Sequence, residues 1–129
     1  MLVYLAGSIW GLSEDAAGDW RTQVEETIGK ERCLNPMRHE FIGSQHEHLH
    51  EIITLDKMDI RRADVLLVYH TRPSVGTSME VFYAWTLGKP IVVVNKSMED
   101  RVPPWLEYHA TVIFEWTSDA IKWIGDHIA

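Results

Sequence analysis

The sequence predicts an α/β fold, a three-layer sandwich around a five-stranded parallel sheet. Three observations carry this expectation. Short apolar runs recur along the chain and are continuous rather than alternating, as strands covered on both faces require. Stretches with helical apolar spacing separate them. The 129 residues, 46% of them apolar, suit one domain, residues 1–129, around a single core.

The first strand is Leu2-Val-Tyr-Leu-Ala6, which stops at Gly7. Ser13 and the acidic pair Glu14-Asp15 open a helix, because carboxylates favour the positive end of the helix dipole. Ala17, Trp20, Val24 and Ile28 form its apolar face, and Gly29 ends it. Cys33-Leu34 is a short second strand closed by Pro36, and residues 36–46 read as a loop. A second helix is expected over 47–62, with Leu49, Ile52, Ile53, Ile60 and Ala63 as its stripe. Val65 to Tyr69 is the third strand, and Pro73 and Gly76 mark the loop after it. A third helix runs from Thr77 to about Leu87 and ends at Gly88. Ile91 to Val94 is the clearest strand. Residues 95–105, with Pro103-Pro104, are expected to be loop. Thr111 to Phe114 is the fifth strand, and Thr117 or Ser118 caps a last helix carrying Ile121 and Ile124.

Five strands alternating with helices in this length point to a flavodoxin-like arrangement. Ligands of such sheets sit beyond the strand C-termini, at the switch point beside the first strand. That gathers Gly7-Ser8, the His70 to Ser74 segment and the start of the Thr77 helix around one crevice.

Composition excludes several classes. The net charge of −7 argues against a grip on a nucleic acid backbone, which needs a basic stripe. No apolar run approaches the roughly 20 residues that span a bilayer. The first strand begins at residue 2 with no charged n-region, which predicts no signal peptide and a cytoplasmic location. Cys33 is the only cysteine, so neither an internal disulfide nor a Cys-rich zinc site forms. His46 and His50 have ligand spacing on a helix, but they lie outside any HExxH register beside a polar loop. Neither a metal nor a cofactor is expected. A receiver domain needs an acidic cluster after the first strand, where this chain has Gly7-Ser8.

Four acidic positions can carry chemistry. Thr77-Ser-Met-Glu80 fits a capping box, in which Glu80 returns to the Thr77 backbone N–H. Glu80 equally fits a carboxylate at the crevice mouth that attacks an electrophilic sugar carbon. Asp56 and Asp59 fall on the buried stripe of the second helix, where an unpaired carboxylate is costly. Either Arg61 or Arg62 pairs with them, or they hydrogen-bond a site loop. Asp64 opens the third strand. Backbone N–H groups in the Gly7-Ser8 turn, with Ser74 and the following helix N-terminus, can hold an anion.

Together these segments resemble the nucleoside 2-deoxyribosyltransferase family over most of the chain. The resemblance rests on Tyr4-Leu-Ala-Gly-Ser8, on Asp56 with Asp64 eight residues on and running into Val-Leu-Leu-Val, and on Gly76-Thr-Ser-Met-Glu80 followed by Ala84 and Gly88-Lys-Pro90. It implies that Glu80 is the nucleophile taking the deoxyribosyl group, that Tyr4 holds its carboxylate, and that Asp64 assists departure of the base. Six residues before the nucleophile the base-exchanging members carry Asp, and this chain has Ser74. Serine there resembles the branch that hydrolyses 2′-deoxynucleoside 5′-monophosphates, because a hydroxyl donates to a phosphate that a carboxylate would repel. Gly7-Ser8-Ile9 is similar to that branch's phosphate loop, and Gly76 lies on the same side. Trp10 departs from the branch's basic residue, and Pro103-Pro104 stand where a neighbouring subunit's serine is expected.

The implied activity is cleavage of the N-glycosidic bond of a small-molecule deoxynucleotide or deoxynucleoside. Hydrolysis of the 5′-monophosphate is favoured, with base exchange between deoxynucleosides and a non-catalytic nucleotide-binding module as alternatives. The third helix is apolar nearly all round (Met79, Val81, Phe82, Ala84, Trp85, Leu87), which predicts a homodimer packed through it.

Overall fold

The computed structural model describes residues 1–39, 41 and 43–128. Its sheet has five parallel strands in the order β2-β1-β3-β4-β5: β1 (Val3–Gly7), β2 (Cys33–Leu34), β3 (Val65–His70), β4 (Ile91–Asn95) and β5 (Val112–Phe114). β1, β3 and β4 form the buried centre, where a strand covered on both faces must be apolar at every position. Strand alternation then sorts the side chains into two cores. Val3, Leu5, Val65, Leu67, Val92 and Val94 pack with Trp20 and Val24 of α1 (Glu14–Ile28) and with Ala120 and Ile124 of α5 (Thr117–His127). Tyr4, Ala6, Leu66, Val68, Ile91 and Val93 pack with Ile60 of α2 (Leu49–Arg62), with Val81 and Ala84 of α3 (Val75–Thr86), and with Leu106 of α4 (Pro104–His109). The three-layer, flavodoxin-like sandwich is therefore as expected, and among the described residues no helix is long and apolar enough to cross a membrane.

Four local expectations are corrected. Neither Thr117 nor Ser118 caps the last helix: α5 begins at Thr117, and Trp116 takes the N-cap. α2 starts at Leu49 rather than 47, preceded by a 3-10 turn over Gln45–Glu47. α3 starts at Val75 rather than Thr77, because Ser74 takes the N-cap. The expected loop 95–105 ends at Pro103: Pro104 opens α4 at the first helical position, where a missing N–H costs nothing. Within the expected loop 36–46, Pro36–Arg38 forms a second 3-10 turn, and residues 40 and 42 lie outside the described residues.

The end of β1 is fixed from below. A Cβ on Gly7 would lie 2.9 Å from the Trp20 ring and 3.2 Å from the Tyr69 carbonyl, so glycine alone fits. Trp20 and Tyr69 stack with centroids 4.8 Å apart. Arg21 is fully buried, and its guanidinium donates to the carbonyls of Leu5, Ala17 and Gly7. Those bonds join α1 to the last residues of β1 and hold the turn that follows.

Candidate active site

A cavity of about 420 Å³ opens beyond the C-terminal end of β1, between α2 and α3. Its walls are mostly apolar, with Ile52, Ile53 and Ile60 from α2 and Met79 from α3, and Trp10 at the mouth. Two carboxylates enter it, Asp56 from α2 and Glu80 from α3. An apolar pocket with a few convergent polar groups is the usual form of a small-molecule site.

Glu80 is half-buried, and its Oε2 accepts a hydrogen bond from the Tyr4 hydroxyl. The contact joins residues 76 apart in sequence, across the layer between β1 and α3. The capping box does not form. Ser74 Oγ accepts from the Thr77 N–H at 3.3 Å, which leaves Glu80 in the second turn, facing the cavity. Tyr4 is fully buried, and its pKa is raised well above 10. Burial is the largest cause, followed by the nearby charges of Glu80 and then Asp56, with Arg21 opposing from the other face of the sheet. The phenol therefore stays protonated and keeps donating to Glu80.

Asp56 is 8% exposed and lines the cavity one helical turn from Ile52 and Ile60. Asp59, the other acid on the stripe, does structural work. Arg38 (2.8 Å), His39 (2.9 Å) and Arg62 (3.4 Å) surround it, tying the Pro36–Arg38 turn to α2. The expected pairing with Arg62 is thus realised for Asp59, whereas Asp56 faces the cavity.

Asp64 is not brought to the cavity. It lies at the N-terminal edge of β3, exposed, and accepts the Leu2 N–H at 2.7 Å. The six residues of β3 separate it from the strand's C-terminal end, about 20 Å at the rise of an extended chain. Asp64 is not among the residues that line the cavity.

On the other flank, Gly7, Ile9, Ser74 and Gly76 line the cavity. Ser8 lies behind them, beside Ser74 and Thr77. Ser74 Oγ spends an acceptor site on the α3 cap and keeps its own proton to donate. The first two N–H groups of α3, Val75 and Gly76, have no carbonyl partner within the helix and point out of its N-terminus. A Cβ on Gly76 would meet nothing within 4 Å, so the surface there is open. His46, one of the two spaced histidines, packs edge-on to Trp10 with centroids 6.3 Å apart.

Sequence reasoning missed Arg21 and Arg72. Arg21 carries a signal, a charge beside Ala17, Trp20 and Val24 on the buried stripe. Arg72 carries none, because loop geometry alone aims it: its Nη2 donates to the Trp10 carbonyl at 3.2 Å.

Comparison with known proteins identifies the family. The profile of the nucleoside 2-deoxyribosyltransferase family matches residues 3–119. No curated protein sequence matches the chain. Among solved structures, the 2-deoxyribosyltransferase of Bacillus psychrosaccharolyticus superposes with a TM-score of 0.75 at 19% identity, over 92% of this chain and 89% of that one. The CMP N-glycosidase BcmB of Clostridium botulinum superposes with a TM-score of 0.59 at 14% identity, over 97% and 99%. These identities are low enough that the superpositions speak to fold alone. The family match spans nearly the whole chain, and the protein belongs to the nucleoside 2-deoxyribosyltransferase family.

Proposed function

We propose that this enzyme hydrolyses 2′-deoxynucleoside 5′-monophosphates to free base and deoxyribose 5-phosphate through a glycosyl-Glu80 intermediate. Family membership makes it an enzyme of N-glycosidic bonds, a glycosidase or pentosyltransferase. The observation that carries the finer reading is the Tyr4–Glu80 hydrogen bond, which aims a carboxylate into the cavity instead of at the helix cap.

In the first step Glu80 Oε attacks C1′ of the sugar. The C1′–N bond breaks, its electron pair goes to the base, and the transition state is oxocarbenium-like. The Asp56 carboxyl delivers a proton to the departing nitrogen. This is the role that the family resemblance suggested for Asp64, transferred to the acid that shares the cavity with Glu80. In the second step water attacks C1′, Asp56 takes its proton, and Glu80 leaves as the carboxylate. Tyr4 serves both steps by holding one oxygen of Glu80 while the other reacts. Ser74, Ser8 and the Gly76 N–H face the 5′ side of the sugar and suit a phosphate there.

We further propose that the active form is a homodimer. Met79, Phe82 and Trp85 of α3 and Trp105 and Tyr108 of α4 are exposed together, and Phe82, Trp85 and Tyr108 surround His109 in a cluster of ring contacts. An apolar patch of this size at a cavity rim suits a protein contact.

Chromatography decides between hydrolysis and exchange. The enzyme is given each deoxynucleoside and each 5′-monophosphate, with and without a free acceptor base. Free base from the monophosphates alone is the expected result. Base exchange between unphosphorylated deoxynucleosides would make the protein a transferase and overturn the hydrolase reading.

A further inference from the structure

A second cavity of about 80 Å³ lies behind the first and shares Ser74 and Thr77 with it. At the volume of a liquid water molecule it has room for about two to three waters, the scale of a phosphoryl group. Its charged groups differ from those of the first cavity. Asp56 and Glu80 outnumber the single cation Lys57 on the walls of the larger space. No carboxylate lines the smaller one, whose polar groups are Ser8, His70, Arg72, Ser74, Thr77 and Ser78. Burial holds the pKa of His70 below its ordinary value, so its ring is neutral near pH 7. The fixed positive charge there is that of Arg72.

Two features inside this compartment ask for a ligand. The Thr77 hydroxyl is buried, with the residue 8% exposed, and its Oγ1 has no hydrogen-bond partner among the described residues. A buried hydroxyl left unsatisfied costs free energy that a bound acceptor would return. Arg72, in turn, is positioned by its bond to the Trp10 carbonyl. Gly11, at φ +81°, bends the chain under it: a Cβ there would lie 3.4 Å from Arg72 Nη2. One guanidinium N–H is used in that bond, and a guanidinium has five to give. The arginine therefore spans the β1–α1 turn and the β3–α3 loop, with donors to spare at the edge of the small cavity.

We propose that Arg72 and Thr77 set the enzyme's specificity for a substrate carrying a 5′-phosphate monoester. The phosphate occupies the smaller cavity, the sugar C1′ faces Glu80, and the base lies against the α2 wall. The polarity of the two cavities matches the polarity of the substrate. The inference rests on the monophosphate reading above and adds the residues that supply charge and the last hydroxyl.

The test compares kcat/KM for a 2′-deoxynucleoside 5′-monophosphate with that for the same unphosphorylated deoxynucleoside, in the wild type and in Arg72→Gln, Arg72→Lys and Thr77→Val. Loss of a charge-assisted hydrogen bond should lower the monophosphate-to-nucleoside ratio about 10- to 100-fold in Arg72→Gln. Arg72→Lys should fall between, since it keeps the charge and loses the fork. Thr77→Val should lower the ratio about 3- to 10-fold without lowering the melting temperature, because no hydrogen bond within the protein is lost. A wild type that prefers the monophosphate, with the ratio unchanged in Arg72→Gln and Thr77→Val, would overturn this inference and leave the hydrolase reading standing. A wild type with no preference for the monophosphate would overturn that reading itself, and this one with it.

Discussion

At the scale of single residues, the chemistry depends on which acid meets the leaving base. Asp56 lines the cavity with Glu80, whereas Asp64 caps the far edge of β3. Asp56→Asn should therefore lower kcat about 100-fold or more, the usual worth of a positioned proton donor. Asp64→Asn keeps an oxygen for the Leu2 N–H and should stay within about twofold of wild type. Steady-state kinetics of the two variants decide, and the opposite ranking would contradict the assignment. Tyr4→Phe removes the hydrogen bond that steers Glu80 and should cost about 10- to 100-fold in kcat/KM. The misplacement of Asp64 has a physical lesson. In a parallel sheet every residue just before a strand stands at the edge opposite the ligand crevice. That rule alone favoured Asp56, and the nearness of Asp64 to the strand motif obscured it.

At the scale of elements, strands were the most legible part. Continuous runs such as Ile91 to Val94 read as strands because the stretches between them have helical spacing. The start of α3 was less so. Ser74 and Thr77 both fit an N-cap, and the choice turns on backbone geometry after Pro73. Short α4 escaped detection because two prolines read as loop while Pro104 in fact begins the helix. The link between α2 and the Pro36–Arg38 turn was half legible: the buried acids were visible, while Arg38 and His39 as partners of Asp59 were not. Asp59→Ala should destabilise the fold by about 1–3 kcal/mol, mostly through loss of the charge-assisted bonds that tie Arg38 and His39 to α2. Urea unfolding measures this, and an unchanged midpoint would show that the turn is held by other contacts.

At the scale of the molecule, the negative charge and the proposed phosphate ligand are reconciled by separation. Asp56 and Glu80 outnumber Lys57 in the larger cavity, and Arg72 with hydroxyls lines its neighbour. The exposed aromatic face of α3 and α4 completes the surface. Light scattering should give twice 14.9 kDa for the wild type and a single chain for Phe82→Glu. A monomeric wild type would contradict the dimer. The chemistry itself is tested most directly by intact mass spectrometry of enzyme quenched during turnover of a deoxynucleoside 5′-monophosphate. A deoxyribose-phosphate adduct on the peptide containing Glu80, absent in Glu80→Ala, is the expected result. An adduct on another residue, or full turnover by Glu80→Ala, would contradict Glu80 as the nucleophile.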